Sequence, residues 1–267
     1  MKGLLPARPV EVLSPWQKSG DPGRFWPRPL IFLHIPKAAG SSLQEWVVRH
    51  FRGGSAFRFL GDQQTWNQFA ELPVEERARF DVLLGHVNFG VHELLPDAAT
   101  YITMLRDPVD RVVSHYYYVL STPTHYLHKK VAGRGYSLLE FALTRVSHEL
   151  DNDQVRWLTS RQHDEIPVGG IDRRILDEAK WNLEHGVAAI GLMERFSESL
   201  RCFEKAFAWE HIPIHTARNV NSDRPPLSEI QPEAIEAIRE VNRYDVELYE
   251  FSQALFEEQL NRLGVRP

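Results

Sequence analysis

The chain has one cysteine, Cys202, in 267 residues, so a disulfide framework within it is impossible. It also lacks a basic excess: 31 Lys and Arg against 36 Asp and Glu leave a formal net charge of −5. General nucleic-acid binding, which rests on a cationic surface, is therefore not expected. No apolar run approaches the roughly 20 residues that a bilayer-spanning helix needs. The opening Met1-Lys-Gly-Leu-Leu-Pro-Ala-Arg-Pro9 lacks the apolar core of a signal peptide. Internal repeats and low-complexity tracts are missing too. These absences together predict a soluble, cytoplasmic protein.

What is present is an alternation of strand-like and helix-like segments. With 43% hydrophobic residues the chain can bury a full core, and one large domain over 30–267 is expected. Residues 1–29 hold six prolines and read as an extended arm. Strands are expected near 30–35, 81–86, 100–106 and 187–192, with a weaker one at Ala56-Phe-Arg-Phe59. Helices are expected at about 108–120, 137–146, 151–160, 172–185 and 196–209. Ser228-Glu-Ile-Gln231 reads as a capping box opening a last helical region, whose Leu248, Phe251, Leu255, Phe256 and Leu260 recur at helical spacing as core. The alternation predicts an α/β fold: a central parallel sheet flanked by helices in three layers, with a helical C-terminal part.

One segment carries chemistry. The run Leu30-Ile-Phe-Leu-His-Ile35 reads as a buried strand, and Pro36-Lys-Ala-Ala-Gly-Ser-Ser42 as a compact turn before the helix-like Leu43-Gln-Glu-Trp-Val-Val-Arg-His50. A strand, a tight loop of small residues and a helix N-terminus together hold a phosphate: N–H groups and the helix dipole attract the anion, and Lys37 adds a point charge. The order differs from a Walker A loop, because here the lysine precedes the glycine.

A second segment strengthens this reading. Thr100-Tyr-Ile-Thr-Met-Leu105 ends in Arg106-Asp107-Pro108, and Pro108 suits the first turn of a helix. Arg106 thus stands at a strand's C-terminal end, where open α/β sheets bind ligands. Ser114 follows eight residues later and can reach the same anion if strand end and helix face one cleft. Arginine suits bidentate phosphate contact, and a serine hydroxyl adds a donor.

These residues resemble the sulfotransferase family. His34-Ile-Pro-Lys-Ala-Ala-Gly-Ser-Ser42 is similar to its 5′-phosphosulfate loop, and Arg106-Asp-Pro-Val-Asp-Arg-Val-Val-Ser-His-Tyr116 to its 3′-phosphate motif. The likeness is nearest to the branch of uronyl 2-O-sulfotransferases and related carbohydrate enzymes. It extends through Gly85-His-Val-Asn-Phe89, Asp151-Asn-Asp-Gln-Val-Arg-Trp-Leu158, Gly191-Leu-Met-Glu-Arg-Phe196, Arg218-Asn-Val-Asn221 and Asn242-Arg-Tyr-Asp-Val-Glu-Leu-Tyr249. One departure is Ala38-Ala39, where the family loop usually has Thr-Gly or Gly-Gly.

The resemblance implies 3′-phosphoadenosine 5′-phosphosulfate (PAPS) as donor, no metal, and an acceptor hydroxyl or amine on a small molecule or carbohydrate. Lys37 would touch the 5′-phosphosulfate, Ala38, Ala39, Gly40, Ser41 and Ser42 would cradle it, and Arg106 and Ser114 would hold the 3′-phosphate. His86, in the Gly-His-Val context at the end of a strand, would be the base; Glu45 is the other candidate. His34 would fix the loop. Eukaryotic carbohydrate sulfotransferases usually carry a membrane anchor and disulfides, so a bacterial setting is expected here.

The remaining polar clusters leave alternatives open. His115, His125 and His128 lie near Lys129, Lys130 and Arg134 in a segment that reads as a basic loop, either a flap for an anionic sugar or a solvated surface. His163-Asp-Glu165 lacks convincing metal-ligand spacing. Asn152, Gln154 and Arg156 resemble an acceptor-side segment, although an N-cap at Asp151 accounts for part of it. Arg218-Asn-Val-Asn221, with Ser222 and Arg224, resembles a loop over the donor's phosphate end. Two other functions stay in view: an ATP- and Mg²⁺-dependent phosphotransferase, with Asp107 as the metal-holding carboxylate, and a non-catalytic nucleotide-binding module.

Overall fold

The computed structural model describes residues 29–51, 53–160, 165–213 and 224–266. The arm expected over 1–29, apart from Pro29, lies outside them, as do His163 and the Arg218–Asn221 run with Ser222.

Five strands, β1 (Leu30–Leu33), β2 (Ala56–Leu60), β3 (Val82–His86), β4 (Thr100–Leu105) and β5 (Val187–Leu192), form one sheet in the order β2-β3-β1-β4-β5. Every neighbouring pair is parallel. β1 is central, with Leu33 opposite Gly85 on one side and Thr103 on the other. Strands buried on both faces need continuous apolar runs, and β1 and β4 are buried at every position. Gly85 sits at φ 115°, and a Cβ there would lie 2.0 Å from the Phe59 carbonyl oxygen, so only glycine allows β2 and β3 to pair at this point.

The helices are α1 (Gly40–His50), α2 (Gln63–Glu71), α3 (Val74–Arg77), α4 (Pro108–Ser121), α5 (His128–Val131), α6 (Leu138–Thr144), α7 (Asp153–Trp157), α8 (Arg173–Gly186), α9 (Phe196–Phe207), α10 (Pro232–Val241) and α11 (Arg243–Leu263). One core, through Ile31, Leu33, Leu83, Tyr101 and Leu105, joins the sheet to α8 and α11; a second, through Phe32, Leu43, Trp46 and Met104, joins the other face to α1 and α9. Helices therefore cover both faces, the three-layer arrangement expected. A third core, of Val109, Val112, Val113, Phe141 and Ile238, packs α4, α6 and α10 together.

The C-terminal stripe is core as expected, with Leu248, Phe256 and Leu260 buried and Phe251 and Leu255 packed against them. Three local expectations change. The capping box at Ser228 does not form: Leu227–Glu229 is a short 3-10 turn, and α10 starts after Gln231 with Pro232 at its first position. Proline lacks the N–H that would go unsatisfied there, which makes this the better start. The final helical region breaks at Asn242, whose Oδ1 accepts from Asn152 N–H. The segment expected to be a basic loop contains α5.

Candidate active site

The C-terminal ends of β1, β3 and β4, adjacent and parallel, bring His34, His86 and Arg106 to one edge of the sheet. After β1 the chain turns through two left-handed residues, Lys37 at φ 66° and Ala39 at φ 58°, before α1 begins at Gly40. A non-glycine residue in this region costs about 1–2 kcal/mol, which gives Ala39 a physical reason to stand out where glycine would relax the loop. Gly40 has no such latitude: a Cβ there would lie 1.7 Å from the His34 ring.

Among the described residues no side chain caps the start of α1. Ala39 provides no side-chain cap, and the first turn has no acidic residue. The N–H groups of Gly40, Ser41 and Ser42 therefore project from a helix N-terminus that nothing anionic neutralises within the helix itself. Ala38 plays another part: its N–H is bonded to the Ile35 carbonyl at 3.3 Å and its methyl group is buried. Ser41 is exposed and Ser42 half-buried.

Lys37 points its Nζ over the Tyr118 ring, 3.8 Å from the centroid. Burial, with the Arg106 and Arg224 guanidinium groups nearby, lowers its pKa to about 8 against the opposing pull of Glu149. An ammonium so placed gains from any anion that comes within reach.

Arg106 is buried, at 6% exposure, and holds several parts together. Its Nη1–H donates to the Lys37 carbonyl at 2.8 Å and its Nε–H to Asp110 at 2.7 Å, with a further Nη2 contact to Asp110. Its own backbone is clamped by Gln154, which accepts from the Arg106 N–H at 3.0 Å and donates to the Arg106 carbonyl at 2.8 Å. A guanidinium has five N–H groups, and these contacts leave one on each Nη. Arg224 binds the other oxygen of Asp110. Ser114 lies on α4 one turn after Asp110 and one turn before Tyr118, between the residue that meets Arg106 and the residue that meets Lys37. It is half-buried. Asp107 is accounted for as the N-cap of α4, accepting from the Asp110 N–H at 2.9 Å, with Pro108 in the first turn as expected.

His86 closes β3. Its Nδ1–H donates to the His34 carbonyl at 3.0 Å, and its ring stacks on the His34 ring with centroids 4.3 Å apart. A hydrogen bond to a carbonyl requires the proton on Nδ1, so the neutral ring carries its lone pair on Nε2. His34 is itself fixed: the Gln44 amide donates to its Nδ1 at 2.7 Å, and burial together with the His86 ring holds its pKa well below the ordinary value. Its ring and its carbonyl are thus both held by protein groups, Gln44 and His86. Glu45 pairs with Arg49 one turn along α1.

Asn152, Gln154 and Arg156 are buried, and their side chains bind protein. Asn152 bonds to Val241 and to the Tyr244 and Asp245 N–H groups; Arg156 pairs with Asp151 and reaches the carbonyls of Ile166 and Pro167. Asp245 accepts from the Gln154 and Val155 N–H groups at 3.1 and 2.9 Å. Asp151 is not the N-cap of α7; that position is Asn152, in the left-handed region. The segment is scaffold, and through Gln154 it sets the Arg106 backbone. Sequence reasoning missed this clamp and the Asp110–Arg224 contact, because both join residues far apart in the chain, and it overlooked the Arg106–Asp110 pair although that pair is only four residues apart.

No family model matches the chain. In sequence it is similar to heparan-sulfate 6-O-sulfotransferase 2 of Danio rerio, 32% identical over 180 residues that cover 58% of this chain and 38% of that protein. It is also similar to heparan-sulfate 6-O-sulfotransferase 1 of Homo sapiens, 29% identical over 183 residues, 60% of this chain and 44% of that one. The resemblance is to sulfotransferases. The chain thus spans less than half the length of these sulfotransferase relatives. They are 6-O enzymes, where the motifs had suggested the uronyl 2-O branch and related carbohydrate enzymes. A solved structure, mouse sulfotransferase SULT7A1 complexed with PAP, covers 84% of this chain and 68% of its own at 16% identity, with a TM-score of 0.39.

Proposed function

We propose that this protein transfers the sulfuryl group of PAPS to a hydroxyl of a carbohydrate acceptor. The observation that carries the reading is the uncapped N-terminus of α1 beside a buried Arg106 tied to the Lys37 carbonyl: one loop offers two anion sites, one at the helix end and one at the guanidinium. A donor with a 5′-phosphosulfate and a 3′-phosphate needs both. The similarity to heparan-sulfate sulfotransferases supports this donor and a sugar acceptor. None of the relatives described above is a kinase, and with Asp107 engaged as a cap the ATP phosphotransferase reading has no support. A cytoplasmic, bacterial setting, suggested by the single cysteine, belongs to the same proposal.

Each residue then has a task. Lys37 and the N–H groups of Gly40, Ser41 and Ser42 stabilise the charge that develops on the departing phosphate oxygen. Arg106 and Ser114 hold the 3′-phosphate, Arg106 with its two remaining N–H groups. Ala38 and Ala39 keep the loop small enough for close approach. His86 accepts the acceptor's hydroxyl proton on Nε2 while Nδ1–H stays on the His34 carbonyl. The donor supplies the sulfuryl group, its bond to the phosphate oxygen breaking as the bond to the acceptor oxygen forms. Positioning and charge stabilisation dominate such a loose, in-line transfer.

The test is titration with 3′-phosphoadenosine 5′-phosphate (PAP) and with ADP, without metal, on the wild type and Arg106→Lys. PAP should bind and ADP should bind far more weakly. A lysine keeps the charge but loses the fork, so PAP affinity should fall about 10- to 100-fold, the worth of one charged hydrogen bond or a pair. Equal binding of PAP and ADP, or no effect of the substitution, overturns the donor assignment.

A further inference from the structure

Beyond the donor loop, three elements bring a second set of polar groups together. His115 comes from α4, His125 from the turn that follows it, and Glu149 from the 3-10 turn His148–Leu150. One ligand atom from each lies within 4.8 Å of the others. This is the one such group of histidine, cysteine and carboxylate side chains among the described residues. We propose that His115, His125 and Glu149 form a binding site for a divalent transition-metal ion of the zinc class.

The donor set is two imidazoles and a carboxylate, which suits Zn²⁺ with water in the fourth position. The His115 Nε2 stands 3.3 Å from the nearer Glu149 oxygen, about the ligand-to-ligand separation of a tetrahedral zinc site. The second observation is that this nitrogen is buried, in a side chain that is 2% exposed, and makes no well-formed hydrogen bond, its approach to Glu149 being an ion-pair contact. A buried polar atom left without a bond is costly, and a metal would satisfy it. Tyr126 fixes the Glu149 carboxylate's orientation by donating to one oxygen at 2.6 Å, the outer contact that orients metal-binding carboxylates.

His125 is the ligand that has to adjust. Its Nδ1 now accepts from the Leu127 N–H at 3.2 Å, a long contact. Coordination through Nδ1 uses that lone pair, and coordination through Nε2 puts the proton on Nδ1, so this contact is given up when metal binds. The ring is half-buried, packs edge-on to His115 and Tyr118 with centroids 5.5 Å away in each case, and stacks on Tyr126 at 4.8 Å. Tyr118 is the ring under Lys37, so the ion would fasten the turn after α4 one ring away from the donor loop. This role is structural and does not depend on the identity of the transferred group.

The test uses the full chain, stripped with a chelator and titrated with Zn²⁺ alone, with competition by a chromophoric chelator as readout. Unfolding midpoints are measured with and without the ion, on wild type, His125→Ala and Glu149→Gln. The proposal expects one ion per chain in the wild type, a higher unfolding midpoint with Zn²⁺, and loss or clear weakening of both in each variant that retains its far-ultraviolet circular dichroism. No stoichiometric binding by the wild type overturns it and leaves His115 and Glu149 an ion pair. Binding unchanged in either folded variant overturns it as well, because the ion then sits elsewhere.

Discussion

The His86 ring lies on the His34 ring at 4.3 Å and donates from Nδ1 to the His34 carbonyl at 3.0 Å. One residue thus holds both the tilt and the tautomer of the other, and the lone pair falls on Nε2. Replacing His86 with Asn keeps a donor for that carbonyl while removing the base. We expect kcat for sulfuryl transfer to fall about 10²- to 10⁴-fold, the usual worth of general-base catalysis, with PAP affinity unchanged. Steady-state kinetics beside calorimetric titration check this. A parallel loss of PAP affinity would mean that His86 supports the loop and does not act on the acceptor.

Lys37 gives the site a pH dependence. Its pKa of about 8 means that the ammonium is lost above that pH in the free protein. PAP affinity should decline above pH 8, by up to about tenfold per unit, and binding there should take up a proton. Lys37→Arg keeps its charge and should flatten the profile. The stability consequence has the opposite sense. The folded pKa lies below the ordinary 10.5, so the unfolded chain binds more protons between these values, and this group's contribution to stability rises from about pH 8 to 10.5. Calorimetric titrations and unfolding curves across this range read both effects.

Ala39 is strained at φ 58°. Ala39→Gly relieves about 1–2 kcal/mol of backbone strain and gives back about 0.5–1 kcal/mol in chain entropy. A net gain of roughly 0.5–1 kcal/mol in chemical denaturation is expected, with PAP binding retained. Gly40→Ala is the opposing control, because its methyl group would collide with the His34 ring and should cost both stability and PAP binding.

The buried pair of Arg156 and Asp151 belongs to the scaffold. Asp151→Ala takes the carboxylate away from the buried Arg156 guanidinium and should cost about 3–5 kcal/mol of stability. Because Gln154 lies between these two residues and clamps Arg106 at 3.0 and 2.8 Å, PAP affinity should fall as well. Denaturant midpoints and PAP titration measure the two losses separately.

How much of this was legible beforehand differs from one part to the next. β1, β3, β4 and β5 announce themselves because parallel strands covered on both faces must be apolar throughout, as Leu30–Leu33 and Val187–Leu192 are. The places of Lys37 and Arg106 were readable because each follows a strand end in a fixed local pattern, and that of Ser114 because it lies two turns into the helix that follows. Ser228 misled because a capping box is a local signal that Pro232, four residues on, overrode. The contacts of Arg224 with Asp110 and of Gln154 with the Arg106 backbone carried no local signal, because each joins residues that meet only once the sheet has been built. The polar residues of 151–156 looked like ligand contacts for the same reason, since sequence alone does not separate a buried polar network from a binding site.

The most direct test of the central claim is transfer itself. The wild type is incubated with sulfur-labelled PAPS and desulfated heparan oligosaccharides without added Mg²⁺, beside a matched reaction with labelled ATP and Mg²⁺. The account predicts labelled, sulfated oligosaccharide and released PAP in the first reaction and no phosphorylated sugar in the second. Phosphoryl transfer from ATP without any sulfuryl transfer from PAPS would contradict it.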